Sequence, residues 1–417
     1  MKLNFFLIIL ALFVVSGYLF PVGLNFLPDG INTKNILALI GIPICTFRLL
    51  QTKDITIRIE LLGALFFSII FSLICLFSVD YNNTQDYSYA KYIVSFLVWI
   101  FGAFTVNEAI RNAHGESTIP KLVFYLAAVS VIQCILAVLI DQIPSFQFFI
   151  DTYINQGQEF YNEVDRLYGV GAALDNAGVR FAVILVLITS VLCVDEEIRD
   201  NKLYIVFLII SLFIITLIGN MISRTTITGV PFVLFLIIKN SGIFKLLVKK
   251  DSLKILMIFL GFVGIFAVIG ILLYNFDENM HYRIRFAFEG FFNLVEDGEW
   301  RTDSTDKLNR TMWIWPDNLE TWIIGSGLFD GWIYGTDIGY CRFILYCGIT
   351  GFSIFALFFV YNSIVFIYRF PPYIDMFVII LALVFIIWIK VSTDLFTFFA
   401  LFYSVNNFSK ITYKLSN

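Results

Sequence analysis

Charged side chains are scarce in this sequence. They make up 14% of its 417 residues, whereas an average soluble domain is about 25% charged. Hydrophobic residues reach 59%, and 47 residues are Phe. A surface with so few charges could not stay dissolved in water. The sequence therefore predicts a chain whose solvent is lipid, folded as one all-α bundle.

The motifs of metal and nucleotide chemistry are also missing. The two histidines, His114 and His281, are isolated in the sequence, and no His/Asp/Glu cluster has metal-ligand spacing. The sequence has no Walker motif, and its predicted outer segments have no DxD pair. We therefore expect an activity that needs neither a metal cofactor nor ATP. The six cysteines form no CxxC pair and lie in or beside apolar runs, so no disulfide is expected.

Apolar runs of membrane-spanning length recur along the chain. A spanning helix needs about 20 largely apolar residues. The first run is interpreted as an uncleaved span, because no small-x-small cleavage site precedes Pro21. The last two are so close that they are expected to form a tight hairpin or one bent element. The sequence predicts twelve spans: 4–21, 35–50, 59–78, 89–106, 122–140, 177–194, 203–219, 222–238, 255–274, 341–367, 374–390 and 393–409.

The distribution of Lys and Arg predicts the orientation of these spans in the membrane. With both termini in the cytoplasm, most of the 28 basic residues lie on the cytoplasmic side. The basic cluster in residues 239–254 is the strongest anchor, with an anionic-lipid site as the alternative interpretation. Residues 1–274 then hold nine spans, residues 275–340 form a large extracytoplasmic loop, and residues 341–417 hold three spans.

The large loop is net negative, with twelve acidic and five basic side chains. A net negative charge disfavours non-specific binding of anions. The arginines of the loop are therefore expected either to pair with local carboxylates or to bind one specific anion. Five of the seven tryptophans lie in this loop. They would form an interfacial belt or stack on sugars. The aromatic candidates for sugar binding are Trp313, Trp332 and Tyr340.

An amphipathic stripe runs through the loop from Leu308 to Trp322, with apolar residues at steps of four and three. This spacing predicts a helix that packs against the bundle. Pro316 interrupts the stripe and is expected to open a second short helix. Gly325-Ser326-Gly327 is expected to end it in a turn.

Ionisable residues within or at the ends of predicted spans are costly and often functional, and four of them are candidates here. Lys390 and Asp394 are four residues apart and would form an ion pair on one helical face. Arg180 and Arg224 are placed at the outer face, where snorkelling to lipid phosphate is the alternative to a functional role.

Four short segments stand out in and after the large loop: Asn309-Arg310-Thr311-Met312-Trp313, Ile324-Gly325-Ser326-Gly327, Thr336-Asp337-Ile338-Gly339-Tyr340-Cys341-Arg342 and Tyr346-Cys347-Gly348-Ile349-Thr350-Gly351-Phe352. These segments resemble the O-antigen and capsular polysaccharide polymerases (Wzy-type), which belong with the O-antigen ligases. The resemblance covers the topology of the whole chain and is sharp over about residues 305–355. Arg166-Leu167-Tyr168-Gly169-Val170-Gly171 and Ser223-Arg224-Thr225 also look like arginine segments of this family.

One departure from the ligases favours a polymerase. The related ligases have a histidine in this part of the loop, separated by ten residues from a later glycine. Here Asp337 and Gly348 take that spacing, and the histidine is missing.

The resemblance implies a GT-C-like architecture and a metal-independent glycosyltransferase activity. The substrates would be undecaprenyl-diphosphate-linked glycans at the outer face of the cytoplasmic membrane, without nucleic acid, and a chain-length regulator would be a partner. The growing glycan would move from its lipid diphosphate to the sugar of an incoming repeat unit. This chemistry needs cations on the diphosphate and a base for the acceptor hydroxyl.

The residues for these two roles are hypotheses at this point. The predicted diphosphate-binding residues are Arg166, Arg180, Arg224, Arg283, Arg285 and Arg310. The predicted catalytic base is Asp337, in the segment from Gly335 to Gly339 that can bring backbone close to a substrate. In the alternative interpretation, Asp337 caps the tenth span or pairs with Arg342.

Two other functions remain open from the sequence. A ligase would hand the glycan to lipid A core. A transporter or flippase for lipid-linked glycans also fits twelve spans, although such transporters usually have repeated halves with polar sites at the midplane.

Overall fold

The apolar runs of this chain fold into α-helices, because a backbone in lipid must satisfy its own hydrogen bonds. The computed structural model describes residues 5–28, 30–51, 59–156, 166–241, 250–276, 278–330 and 332–406. Helices α1 to α11 are Phe5–Leu19, Thr33–Gln51, Ile59–Tyr81, Tyr92–His114, Ile119–Gln142, Pro144–Tyr153, Leu174–Val194, Glu196–Asp200, Lys202–Ile222, Val230–Ser241 and Lys250–Phe276. Helices α12 to α18 are Glu278–Ala287, Glu289–Glu296, Asp303–Thr311, Leu319–Ile323, Gly339–Arg369, Ile374–Ile387 and Phe396–Tyr403.

Six helices in the described part of the chain are long and apolar enough to cross a membrane: α3, α4, α5, α7, α9 and α16. Each of them overlaps a predicted span. Shorter apolar helices cover Phe5–Leu19, Leu260–Phe276 and Pro371–Ile387. The prediction of an all-α multi-pass membrane protein is therefore confirmed.

Short polar elements gather at one end of the bundle, which we call the loop end. Helices α12 to α15 lie in this region, between α11 and α16. A two-residue strand, Gly23–Leu24, pairs antiparallel with Ile154–Asn155 and ties the segment after α1 to the segment after α6. The 3₁₀-helix Arg224–Gly229 links α9 to α10.

Aromatic packing fills the core beside the loop end. The rings of Phe71 on α3 and Phe355 on α16 stack with centroids 4.4 Å apart. Trp388 is fully buried, and its ring stacks on Phe355 at 5.5 Å. Such large apolar contacts fix the relative positions of α3, α16 and the segment after α17.

The amphipathic stripe of the loop is helical only in part. Leu308 and Met312 are buried against Ile338, as expected for packing on the bundle. The prediction that Pro316 opens the second helix is wrong, because α15 begins at Leu319. Asn318 caps that helix by accepting a hydrogen bond from the Thr321 amide, and residues 312–318 are not helical.

The predicted ion pair between Lys390 and Asp394 is also wrong. Residues 388–395 form no α-helix, so the four-residue spacing does not place these side chains on one face. We call residues 388–395 the dividing segment. Lys390 Nζ lies 3.3 Å from Asp175 Oδ1 instead. Asp394 accepts hydrogen bonds from the Tyr92 hydroxyl at 3.1 Å and the Phe396 amide at 2.8 Å.

Some sequence predictions fall on residues that the structure does not describe. These include the end of the predicted span 393–409 and part of the basic cluster 239–254. The basic residues concerned are Lys2, Lys53, Arg58, Lys245, Lys249, Lys410 and Lys414.

Helix α16 is interrupted at Cys347 and Gly348, where the loop docks on it. Gly348 has φ 66° and ψ 179°, a conformation essentially confined to glycine. The Ser326 amide donates to the Leu345 carbonyl at 2.7 Å, and the Gly327 amide donates to the Tyr346 carbonyl at 3.0 Å. The predicted turn at residues 325–327 is confirmed, and it attaches the loop to the interruption in α16.

Replacing Gly348 by Ala should destabilise the protein strongly. Backbone strain alone costs about 1–3 kcal/mol, and the added Cβ would overlap the Ile323 carbonyl. Thermal unfolding in detergent measures the change. Gly264→Ala in α11 is the matched control, because a Cβ at Gly264 meets no atom within 4 Å. Equal unfolding temperatures for the two variants would contradict this account.

Candidate functional site

A cavity of about 430 Å³ opens at the loop end of the bundle. Segments far apart in the sequence line it, and we call it the cationic cavity. Four cations and two carboxylates face this space, so its lining favours a multiply charged anion. The charged residues are Arg166, Asp175, Arg224, Lys307, Asp337 and Lys390.

The Asp175 carboxylate organises one wall of the cationic cavity. It lies in the first turn of α7 and accepts hydrogen bonds from the hydroxyls of Ser223, at 3.1 Å, and Thr225. Lys390 contacts the same carboxylate and donates to Thr225 Oγ1 at 3.0 Å. These bonds join α7, the 3₁₀-helix and the dividing segment, and they hold the Lys390 ammonium at the cavity.

Two arginines of the cationic cavity share one aromatic ring. The guanidinium carbons of Arg224 and Arg166 lie 4.4 and 5.3 Å from the centroid of Phe286. Arg224 also pairs with Glu289 of α13. A second oxygen of Glu289 accepts the Asp303 amide at 2.8 Å. The planar guanidinium of Arg224 is therefore fixed by stacking and by an ion pair.

Asp337 is the free carboxylate of the cavity. It is partly exposed to solvent and forms no ion pair with any residue that the structure describes. Its partial burial and the Asp175 carboxylate raise the pKa of Asp337 above the ordinary value, although Arg342, Lys307 and Lys390 act in the opposite direction. A carboxylate in this condition is suited to accept a proton.

Neither structural alternative for Asp337 is correct. The cap position of α16 is Ile338, where no side chain caps the helix. Arg342 donates to Ser392 Oγ at 3.1 Å and to the Phe329 carbonyl at 2.6 Å, and it does not pair with Asp337.

The structure brings three of the predicted site residues together: Arg166, Arg224 and Asp337 line the cationic cavity. A subset of the six arginines, centred on Arg224, Arg310 and one of Arg283 or Arg285, was predicted to hold the diphosphate. Arg283, Arg285 and Arg310 are not among the residues that line this cavity. Arg283 pairs with Asp141 at the end of α5, and Arg285 pairs with Glu296 at 2.5 Å. Arg310 is exposed on the last turn of α14. Arg180 lines a different cavity, described below.

The predicted sugar-binding aromatics also lie away from the lining of the cationic cavity. Tyr340 packs into the bundle and donates its hydroxyl proton to the Phe385 carbonyl at 2.9 Å. Trp313 is exposed, with its ring centroid 5.8 Å from that of Trp315. Trp332 is exposed as well.

Three charged lining residues were not predicted as site residues: Asp175, Lys307 and Lys390. Asp175 precedes Arg180 in a polar start to an apolar run, which was a usable signal. Lys390 lies in an apolar stretch, and its four-residue spacing from Asp394 predicted an ion pair with that residue instead of a place in the site. Lys307 had no signal beyond its place in the loop, because its neighbours in the cavity come from other segments.

An apolar groove of about 640 Å³ lies next to the loop helices that hold Arg224. It is lined by α9, α11, α12 and α13, including Phe213, Ile271 and Ile284. Phe288, which lines the groove, directly precedes Glu289, the ion-pair partner of Arg224. Helix α13 thus lines the apolar groove and carries Glu289, the ion-pair partner of one cation of the cationic cavity.

Comparison of the chain with protein-family models, with curated proteins and with solved structures gives no match.

Proposed function

We propose that this protein is a glycosyltransferase that joins undecaprenyl-diphosphate-linked oligosaccharide repeats into an O-antigen or capsular polysaccharide. One observation carries the proposal: a cavity with four cations and a free carboxylate lies beside an apolar groove at one end of a membrane bundle. A lipid diphosphate has an anionic head and a long apolar tail. Its two parts match the cavity and the groove in polarity, and the resemblance of the loop segments points to the same substrate.

The proposed chemistry is a single group transfer. The acceptor hydroxyl oxygen attacks the anomeric carbon of the donor glycan, and the bond from that carbon to the diphosphate breaks. The bonding electrons leave with the diphosphate, whose charge is stabilised by Arg166, Arg224 and the two lysines. The hydroxyl proton passes to Asp337, which acts as the general base. The diphosphate is a good leaving group, so ATP is not required.

The same proposal includes twelve passes, a GT-C-like arrangement and an orientation. The loop end would face outward, and both termini would lie in the cytoplasm, as the Lys and Arg distribution favours. A reporter active only in the cytoplasm should be active when fused after Asn417 and inactive when fused near Asp306. Activity of the fusion near Asp306 would contradict the orientation.

Deletion of the gene, followed by analysis of surface glycan length, tests the proposed function. Loss of a polymerase leaves single repeat units on an intact acceptor. Polymer that accumulates on the carrier lipid would instead indicate a ligase. Loss of all surface glycan, with single units trapped inside, would indicate a flippase.

The activity should fall on acidification at a higher pH than the ordinary aspartate pKa of about 3.9. Asp337 works as the carboxylate, and its raised pKa means that it takes up a proton earlier as the pH falls. Asp175→Asn removes a charge that raises this pKa, so the acid limb should move to lower pH. Initial rates of chain extension by purified protein, measured across the acid range, provide the check. If the fall in activity at low pH occurs at the same pH in Asp175→Asn as in the unchanged protein, Asp337 is not the base.

A further inference from the structure

A second cavity, of about 310 Å³, lies across the dividing segment from the cationic cavity. Lys390 of this segment lines the first cavity, whereas Asp394 lines the second. The neighbours Asp175 and Asn176 are divided in the same way. A glycan held at the first cavity therefore has a second binding space directly beside it.

Two cations of the second cavity, Lys34 and Arg180, contact aromatic rings. The Lys34 ammonium lies 4.2 Å from the centroid of Trp99, and the Arg180 guanidinium carbon lies 5.8 Å from that of Phe20. Neither side chain forms an ion pair within 4.0 Å or a hydrogen bond with the residues that the structure describes. Partly buried cations that lack a close, hydrogen-bonded counter-ion are costly, so the cavity is expected to receive an anion.

The charge of the lining indicates a group with a single negative charge. Asp394 is the only carboxylate among the lining residues, against the two cations, which leaves one positive charge uncompensated. The cationic cavity, with four cations against two carboxylates, is better matched to a diphosphate. The two cavities therefore differ in the anion that they would take.

The remaining lining has the chemistry of a sugar site. Tyr89 and Trp99 present aromatic surface, while Asn176 and Thr393 offer an amide and a hydroxyl. Aromatic faces stack on the apolar faces of sugars, and polar side chains bond their hydroxyls. The volume is at the lower limit for ligand pockets, about 300–1,000 Å³, which suits one sugar residue.

We propose that the second cavity binds an acidic sugar of the repeat unit, with its carboxylate between Lys34 and Arg180. This inference rests on the proposed function and adds the class of glycan. It makes a negatively charged repeat the preferred substrate and assigns Lys34 and Arg180 as specificity-determining residues.

Calorimetric titration of the purified full-length protein in detergent tests the assignment. The probes are methyl glucuronide, the neutral methyl glucoside and inorganic phosphate. We expect methyl glucuronide to bind at least about tenfold more tightly than methyl glucoside, because hydrogen bonds to charged groups are the stronger ones. Equal affinities would overturn the proposal, and stronger binding of phosphate at the same site would make the cavity a phosphate site.

Two variants with opposite expected effects keep the test independent of folding. Arg180→Gln should weaken glucuronide binding by at least about tenfold. Asp394→Asn should strengthen it, because the lining loses its one negative charge. Arg285→Gln, at an exposed pair outside both cavities, is the matched control and should leave binding unchanged. Unchanged binding in Arg180→Gln and Asp394→Asn would overturn the assignment.

The titration tests the acidic-sugar site and the glycan-length analysis tests the polymerase, and a negative result in one does not imply a negative result in the other. Polymer lost on gene deletion without glucuronide binding would reject the acidic-sugar site alone. Glucuronide binding with normal polymer after deletion would reject the polymerase and retain the site.

Discussion

Asp337→Asn should reduce chain extension by about 10²–10⁴-fold, the usual contribution of a general base, and leave glycans one repeat long. The substitution removes the proton acceptor but keeps the size of the side chain. It should not unfold the protein, because Asp337 neither caps α16 nor forms an ion pair among the described residues. Glycan length in a complemented deletion strain, together with the amount of inserted protein, measures both effects.

Asp330→Asn is the matched control for this change. Asp330 is exposed in the same loop and does not line the cationic cavity. Its amide, which the substitution keeps, is the group that bonds to Asp86. Normal polymer from Asp337→Asn would show that the base is another group.

Arg224→Lys should lower the rate of chain extension by roughly tenfold to a hundredfold, which corresponds to the 1.5–3 kcal/mol of a hydrogen bond to a charged group. Lysine keeps the positive charge and can still pair with Glu289, but it loses the two-pronged donor and the stacking on Phe286. The loss should therefore appear in activity with little change in unfolding temperature. Initial rates with a purified lipid-linked repeat give the measurement.

Arg310→Lys and Arg285→Lys are the controls for Arg224. Both arginines were candidates from the sequence, and neither is among the residues lining the cationic cavity. We expect near-normal rates from both. A larger loss at Arg310 than at Arg224 would move the diphosphate site to the surface of α14.

The membrane helices could be predicted from the sequence because hydropathy over about 20 residues is a strong local signal. The same signal extended the eleventh predicted span through residue 390 and began the twelfth at 393. In the structure, helix α17 ends at Ile387 and α18 begins at Phe396. The Trp388 indole donates to the Thr393 carbonyl at 2.9 Å, a local bond that hydropathy does not indicate.

The grouping of the arginines could not be predicted, because their partners come from distant segments. Arg283 and its partner Asp141 are 142 residues apart in the chain. Arg180 and Arg224 look alike in the sequence, yet they line different cavities. Their position in predicted outer segments, against the positive-inside bias, identified the candidates. Only the tertiary contacts show which of them line a cavity.

The interruption of α16 constrains which part of the loop can move. The carbonyls of Leu345 and Tyr346 receive their protons from the amides of Ser326 and Gly327. Withdrawal of the turn at residues 325–327 would remove these donors inside a bundle that excludes water, where unpaired backbone groups are costly. The Tyr346 carbonyl would keep the hydrogen bond from the Ser78 hydroxyl, at 2.8 Å. The turn is thus a fixed attachment of the loop, and the backbone of α16 is its anchor.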